Sequence, residues 1–206
     1  MASAPERDAH LRVGPVAIAW RTGTDRAARR PTAERLLRRL AGAGATADVT
    51  RDCPRCGEGD HGAPRLVGAP VRCSISHAGD VTVVAVAPSG RCGAIGIDAE
   101  LSTPGVRDPA GLARALGTTG SADLARWTRV EAALKARGSG LALDPRCVRL
   151  HRRLGRTLAL VTPPEGAVER FVVRAVHGIP GCTVSLAIAS SVERRQLLAV
   201  QPPLEQ

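Results

Sequence analysis

Val71-Arg-Cys-Ser-Ile-Ser-His-Ala-Gly-Asp-Val-Thr-Val-Val-Ala-Val-Ala-Pro-Ser-Gly-Arg-Cys-Gly-Ala-Ile-Gly-Ile-Asp-Ala-Glu100 alternates short aliphatic and β-branched runs with turn residues. Residues 71–76, 81–87 and 92–99 each have the length and composition of a strand. Ala78-Gly79-Asp80 and Pro88-Ser89-Gly90 supply the turn chemistry between them, so the segment predicts an antiparallel meander.

Upstream, residues 15–20 predict a short buried strand, and residues 30–41 place Leu36, Leu37 and Leu40 at helical spacing before Gly42 and Gly44. Residues 52–64, rich in Cys, Pro and Gly, predict a loop. Downstream of Pro104 and Gly105, residues 109–116 and 121–137 predict helices, the second closed by Gly138 and Gly140. Strands are expected again at 147–151, 157–161, 168–176, 182–189 and 196–200. The pattern predicts an α+β chain in two halves, 1–102 and 103–206, packed as one compact monomeric unit. A faint echo joins them: His77-Ala-Gly-Asp-Val-Thr-Val-Val-Ala-Val-Ala against His177-Gly-Ile-Pro-Gly-Cys-Thr-Val-Ser-Leu-Ala-Ile-Ala.

With 206 residues and a 44% apolar fraction, the chain can bury a substantial core, which must be aliphatic because Phe171, Trp20 and Trp127 are the only Phe, Trp or Tyr residues. The net charge of +10 predicts a field attractive to phosphates and acidic partners without choosing among them. Of the 29 basic residues only Lys135 is a lysine. The six cysteines suggest no disulfide framework. The polar start and the absence of an apolar run near the ~20 residues of a membrane helix lead us to expect a soluble cytoplasmic protein without a membrane partner.

Two constellations carry chemistry. In Gly96-Ile-Asp-Ala-Glu100, strand alternation projects Asp98 and Glu100 from one face, where two like charges call for a cation. In Trp127-Thr-Arg-Val-Glu131-Ala-Ala-Leu-Lys135, four-residue spacing aligns Trp127, Glu131 and Lys135 along one helix stripe. The bland alternatives are solvated turn carboxylates and a surface ion pair worth ~0.3–0.5 kcal/mol. The solitary lysine tells against the second, since arginine would serve a surface pair equally well but cannot give up a proton.

Ser74-Ile-Ser-His77, Gly96-Ile-Asp-Ala-Glu100 and Trp127-Thr-Arg-Val-Glu131-Ala-Ala-Leu-Lys135-Ala-Arg-Gly-Ser-Gly-Leu141 stand in the order seen in 4'-phosphopantetheinyl transferases, and the chain resembles the surfactin-synthetase-activating type over roughly residues 26–190. Cys53-Pro-Arg-Cys-Gly57 and His61-Gly-Ala-Pro64 resemble the loop before the sheet in bacterial members. The resemblance implies the fold of that superfamily, with two pseudo-twofold-related halves. It also implies transfer of phosphopantetheine from coenzyme A to a serine of an acyl or peptidyl carrier protein.

The implied roles follow position by position. Asp98, Glu100 and Glu131 would hold Mg2+, with Mn2+ left open as a substitute, and Glu131 would be the base for the carrier serine. Lys135 would serve the leaving phosphate, and Ser76 and His77 the coenzyme A phosphates. Arg26, Arg29 and Arg30 would face the 3'-phosphate, and His61, Gly62, Ala63 and Pro64 would lie along the adenine. The chain departs from the family at Val130, where lysine is frequent, at Ala63, where a basic residue is usual, and at Ala99, where Ile or Val is common.

Two rival readings stay open. A metal-dependent nuclease uses the same residue types, but its Glu and Lys usually share one strand. A zinc ribbon would need ligands beyond Cys53 and Cys56, with His61 and Cys73 at unusual spacing. The transferase reading predicts no nucleic-acid partner.

Overall fold

Each predicted strand within the described segments is found, but the meander is not continuous. The computed structural model describes residues 8–42, 44, 47–52, 59, 62–103, 108–119 and 123–190. Strands β1 (Ala9–Val13), β2 (Val16–Arg21), β5 (Val71–Ala78) and β6 (Val81–Pro88) form an antiparallel sheet ordered β1-β2-β6-β5. Strand β7 (Cys92–Leu101) does not pair with β6. It crosses to a second sheet ordered β7-β11-β10-β9-β8, pairing antiparallel with β11 (Cys182–Ser190). The Pro88-Ser89-Gly90 turn reverses the chain without closing the expected hairpin, because turn chemistry fixes a reversal and not the strand that pairs after it.

The second sheet is completed by β8 (Val148–Arg153), β9 (Arg156–Val161) and β10 (Glu169–Val176). A two-stranded ribbon pairs β3 (Val49–Asp52) with β4 (Ala63–Leu66), so the expected 52–64 loop is bounded by strand at both ends, with Asp52 opposite Ala63. Cys53, Cys56 and His61 lie outside the described residues, as do residues 196–200. Strand β1 was not expected, although Ala9, Leu11 and Val13 alternate with His10 and Arg12 and pack partly against the core.

Helix α1 (Arg29–Ala41) buries Ala33, Leu36 and Leu37 on the first sheet against Ala19, Val84 and Val86. It ends at Gly42, whose φ of 64° suits a residue without a Cβ. Helix α2 (Pro109–Ala115) is capped by Asp108 and precedes α3 (Leu124–Arg137), capped by Asp123. Helix α3 buries Trp127, Val130, Ala133 and Leu134 against Phe171, Val173 and Ala187 on one face of the second sheet. Between the two sheets lies a separate aliphatic core built around Ile18, Val83, Ile97 and Leu186.

The chain is thus α+β, with helices packed on antiparallel sheets. Both parts share one connectivity. Setting aside β1 and α2, a strand leads to a helix, then a pair of antiparallel strands, then a hairpin whose last strand pairs with the first: β2, α1, β3/β4, β5/β6 and β7, α3, β8/β9, β10/β11. The β8/β9 pair joins its sheet through β10, whereas β3/β4 stands apart. The echo between His77 and His177 falls on the matching hairpins.

Candidate active site

The edge of the second sheet, β7, meets the edge of the first, β5, without a backbone ladder. Instead, the Ile97 amide donates to Ser74 Oγ at 3.0 Å and the Ala99 amide to Ser76 Oγ at 3.1 Å. Both serines are buried. Their alternation on β5 matches that of the β7 amides, so hydroxyls stand in for the carbonyls of a missing neighbour strand.

This join places Asp98, which is buried, directly below Lys135 of α3. The Lys135 ammonium donates to Asp98 Oδ1 at 2.6 Å and to Ser76 Oγ at 3.0 Å, and Ser76 donates to the same Oδ1 at 3.1 Å. Helix α3 approaches β7 closely because position 96 is glycine: a Cβ there would lie 2.1 Å from the Ala132 carbonyl oxygen and 2.3 Å from the Ala136 nitrogen. One turn back, Glu131 joins Asp98 and Glu100, with one carboxylate oxygen from each lying within 4.8 Å of the others. Trp127, a further turn back, donates from Nε1 to Glu100 Oε1 at 3.3 Å. The expected stripe of Trp127, Glu131 and Lys135 therefore faces the expected carboxylate pair.

Three carboxylates and one ammonium leave the cluster acidic. Burial pushes the Asp98 carboxyl above its usual range, against the pull of Lys135, and Glu100 pushes it the same way. Its Oδ2 is buried and has no hydrogen-bond partner among the described residues. An orphaned buried oxygen beside two further carboxylates is an all-oxygen donor set suited to a hard cation, and Asp98, Glu100 and Glu131 can hold a metal ion.

Lys135 also borders a cavity of about 540 Å³ lined by Gly62, Ala63, Pro64, Arg51, Cys73 and the Gly138–Ala142 stretch. Three of the four residues expected along an adenine thus line one pocket with the expected lysine. Burial raises the Cys73 thiol to about 11, so it is not a thiolate at neutral pH.

The other expected residues take varied places. Ser76 was expected to meet a phosphate; its hydroxyl donates to Asp98 and accepts from the Ala99 amide and Lys135, so all three of its positions are engaged within the cluster. His77 is half-buried with Nδ1 3.1 Å from Thr82 Oγ1. Burial, then the cations Arg29, Arg51 and Lys135, lower its pKa to about 4, so at neutral pH it offers a neutral imidazole. Arg29 donates to the Gly79 carbonyl, Arg30 pairs with Glu34, and Arg26 is exposed before α1.

Arg51 was missed, since nothing local separates it from the other arginines, yet it lines the cavity and burial lowers its pKa, with Arg30 adding to that shift. Ser139, Gly140 and Leu141 also line it, so the segment that follows Lys135 forms one wall of the pocket.

Fold and site together define an α+β protein with a carboxylate centre able to hold a metal ion beside a concave pocket. No protein-family model matches the sequence, and no curated protein matches it.

Proposed function

We propose that the chain is a 4'-phosphopantetheinyl transferase with the two-part fold of that superfamily, moving phosphopantetheine from coenzyme A to a serine of an acyl or peptidyl carrier protein. The observation that carries this reading is convergence. Carboxylates from two separate motifs meet within 4.8 Å, with Lys135 on Asp98, at the border of a pocket lined by Gly62, Ala63 and Pro64.

In this reading Asp98, Glu100 and Glu131 hold Mg2+, which when bound neutralises charge on the pyrophosphate of coenzyme A. Glu131 takes the proton from the carrier serine, whose oxygen forms a bond to the phosphorus of the pantetheine phosphate. The bond from that phosphorus to the bridging oxygen breaks, and adenosine 3',5'-bisphosphate leaves. Lys135 supplies positive charge, and a proton, to the departing phosphate. Ser76 fixes the Lys135–Asp98 pair, and Trp127 orients Glu100. Arg29 and Arg51 lie near His77, with Arg30 near Arg51, and in this reading they supply cations for the 3'-phosphate.

An apo carrier protein incubated with the chain, coenzyme A and Mg2+ tests the reading by intact mass spectrometry. A phosphopantetheine adduct lost on chelation is expected. No adduct on any of a panel of acyl and peptidyl carriers, together with cleavage of nucleic acid by the same sample, would transfer the site to the nuclease reading.

A further inference from the structure

His77 and Thr82 face each other as a cross-strand pair of the β5/β6 hairpin, with Nδ1 3.1 Å from Oγ1. Thr82 is fully buried, and this contact is the one hydrogen bond its hydroxyl makes among the described residues. Two arrangements satisfy the distance. Either the imidazole donates from Nδ1 and the hydroxyl hydrogen is left without an acceptor, or the hydroxyl donates and Nδ1 accepts. A buried donor without an acceptor costs its full desolvation penalty, whereas an oxygen lone pair without a donor is tolerated more readily. The hydroxyl is therefore the donor.

A neutral imidazole that accepts at Nδ1 carries its one proton on Nε2. The ring is neutral at pH 7, because burial, then Arg29, Arg51 and Lys135, hold its pKa at about 4. Those cations come from three elements, the first turn of α1, strand β3 and helix α3, and each opposes an imidazolium. Nε2 makes no hydrogen bond among the described residues. Arg29 donates to the Gly79 carbonyl, but its Nε is buried with no partner among those residues. Two unengaged donors among convergent positive charges suit an anion with several acceptor oxygens.

We propose that Thr82 is a positioning residue whose hydroxyl fixes the Nε2–H tautomer of His77, so that an uncharged imidazole donates to a phosphate oxygen of the bound nucleotide. The tautomer stands on the hairpin geometry alone, and the phosphate contact rests on the transferase reading. The resemblance puts His77 against a phosphate but leaves open in which form the ring binds. The opposite tautomer would turn a lone pair towards phosphate oxygens and repel them. An imidazolium would have to form beside three cations. Thr82 removes the first of these forms and the cations remove the second. Valine at this position keeps the branched shape and deletes the donor, whereas serine keeps the donor.

The test begins with nitrogen NMR of the imidazoles in the full chain at pH 7 without ligand, His77 being assigned by its loss in His77→Gln. A pyridine-like Nδ1 and a pyrrole-like Nε2 are expected, and they should persist when adenosine 3',5'-bisphosphate is added. A protonated Nδ1 in either state would overturn the proposal. Calorimetry then compares adenosine 3',5'-bisphosphate with adenosine 5'-monophosphate. Thr82→Val should weaken the bisphosphate about tenfold, the scale of one hydrogen bond to a charged group, and leave the monophosphate unchanged. Thr82→Ser should bind both as the parent does. A merely structural His77–Thr82 pair would leave bisphosphate binding intact in Thr82→Val, and that result, or an equal loss for both nucleotides, would end the positioning role. Failure of the parent to bind either nucleotide, with the tautomer as stated, would instead remove the transferase reading and the phosphate contact together.

Discussion

Lys135 reaches Asp98 at 2.6 Å and Ser76 at 3.0 Å from one nitrogen. A guanidinium is wider, planar and permanently protonated, so Lys135→Arg cannot make both contacts from one point or deliver a proton. On the transferase reading proposed above, the substitution should lower single-turnover transfer by about 10²-fold or more, on the scale of a lost acid-base group. Glu131→Gln keeps shape but loses charge and basicity, and should cost a similar factor while the urea midpoint holds. His77 provides a signature in stability. Its folded pKa is lowered to about 4 from 6.5, so the unfolded chain takes up the proton first. The stability it contributes is complete above 6.5 and is lost as pH falls through that value towards 4. Urea midpoints across this window should fall for the parent and fall less for His77→Gln.

Helix α3 and strand β7 carry the whole carboxylate cluster, and Gly96 sets their separation. Gly96→Ala would place a methyl 2.1 Å from a backbone oxygen that cannot swing aside. Overpacking of this kind costs ~1–3 kcal/mol, and a rigid helix backbone places it near the upper end. The expected result is a lowered denaturation midpoint together with weaker Mn2+ binding, because Glu131 and Lys135 move away from Asp98 and Glu100 as a unit. Unchanged Mn2+ affinity in a folded variant would show that the cluster does not depend on this packing.

Elements with strong local signals were legible in the sequence. The body of helix α3 and the Trp127, Glu131, Lys135 stripe follow from spacing and its end from Gly138, though the start falls at the Asp123 cap rather than at residue 121. Asp98 and Glu100 follow from strand alternation. The partner of β7 was not legible, because pairing with β11 is a long-range choice that no local pattern encodes. Nor was Arg51, whose place by the pocket depends on how the β3/β4 ribbon folds against β5. Strand β1 had the period-two signal, in Ala9, Leu11 and Val13, but the polar residues before it masked the pattern.

For the molecule as a whole, three carboxylates facing one ammonium repel one another, and a cation held among them would offset that cost. Binding to the folded state alone stabilises by ~2.7 kcal/mol at a hundredfold excess over Kd, which for a chain of this length corresponds to a rise in Tm of about 5–10 °C. Mg2+ should produce that rise, chelation should reverse it, and Asp98→Asn should remove it; a Tm indifferent to divalent cations would dissociate the cluster from metal. The two sheets that share this site are joined at β5 and β7 by serine hydroxyls rather than by a ladder. Along β7, then, alternate amides have different fates. Those of Ile97 and Ala99 are shielded only by side chains that can rotate away, whereas the intervening Asp98 amide points towards β11. Deuterium should therefore enter β7 with a two-residue rhythm, faster at Ile97 and Ala99 than at Asp98, a record of the seam parting while each sheet stays intact.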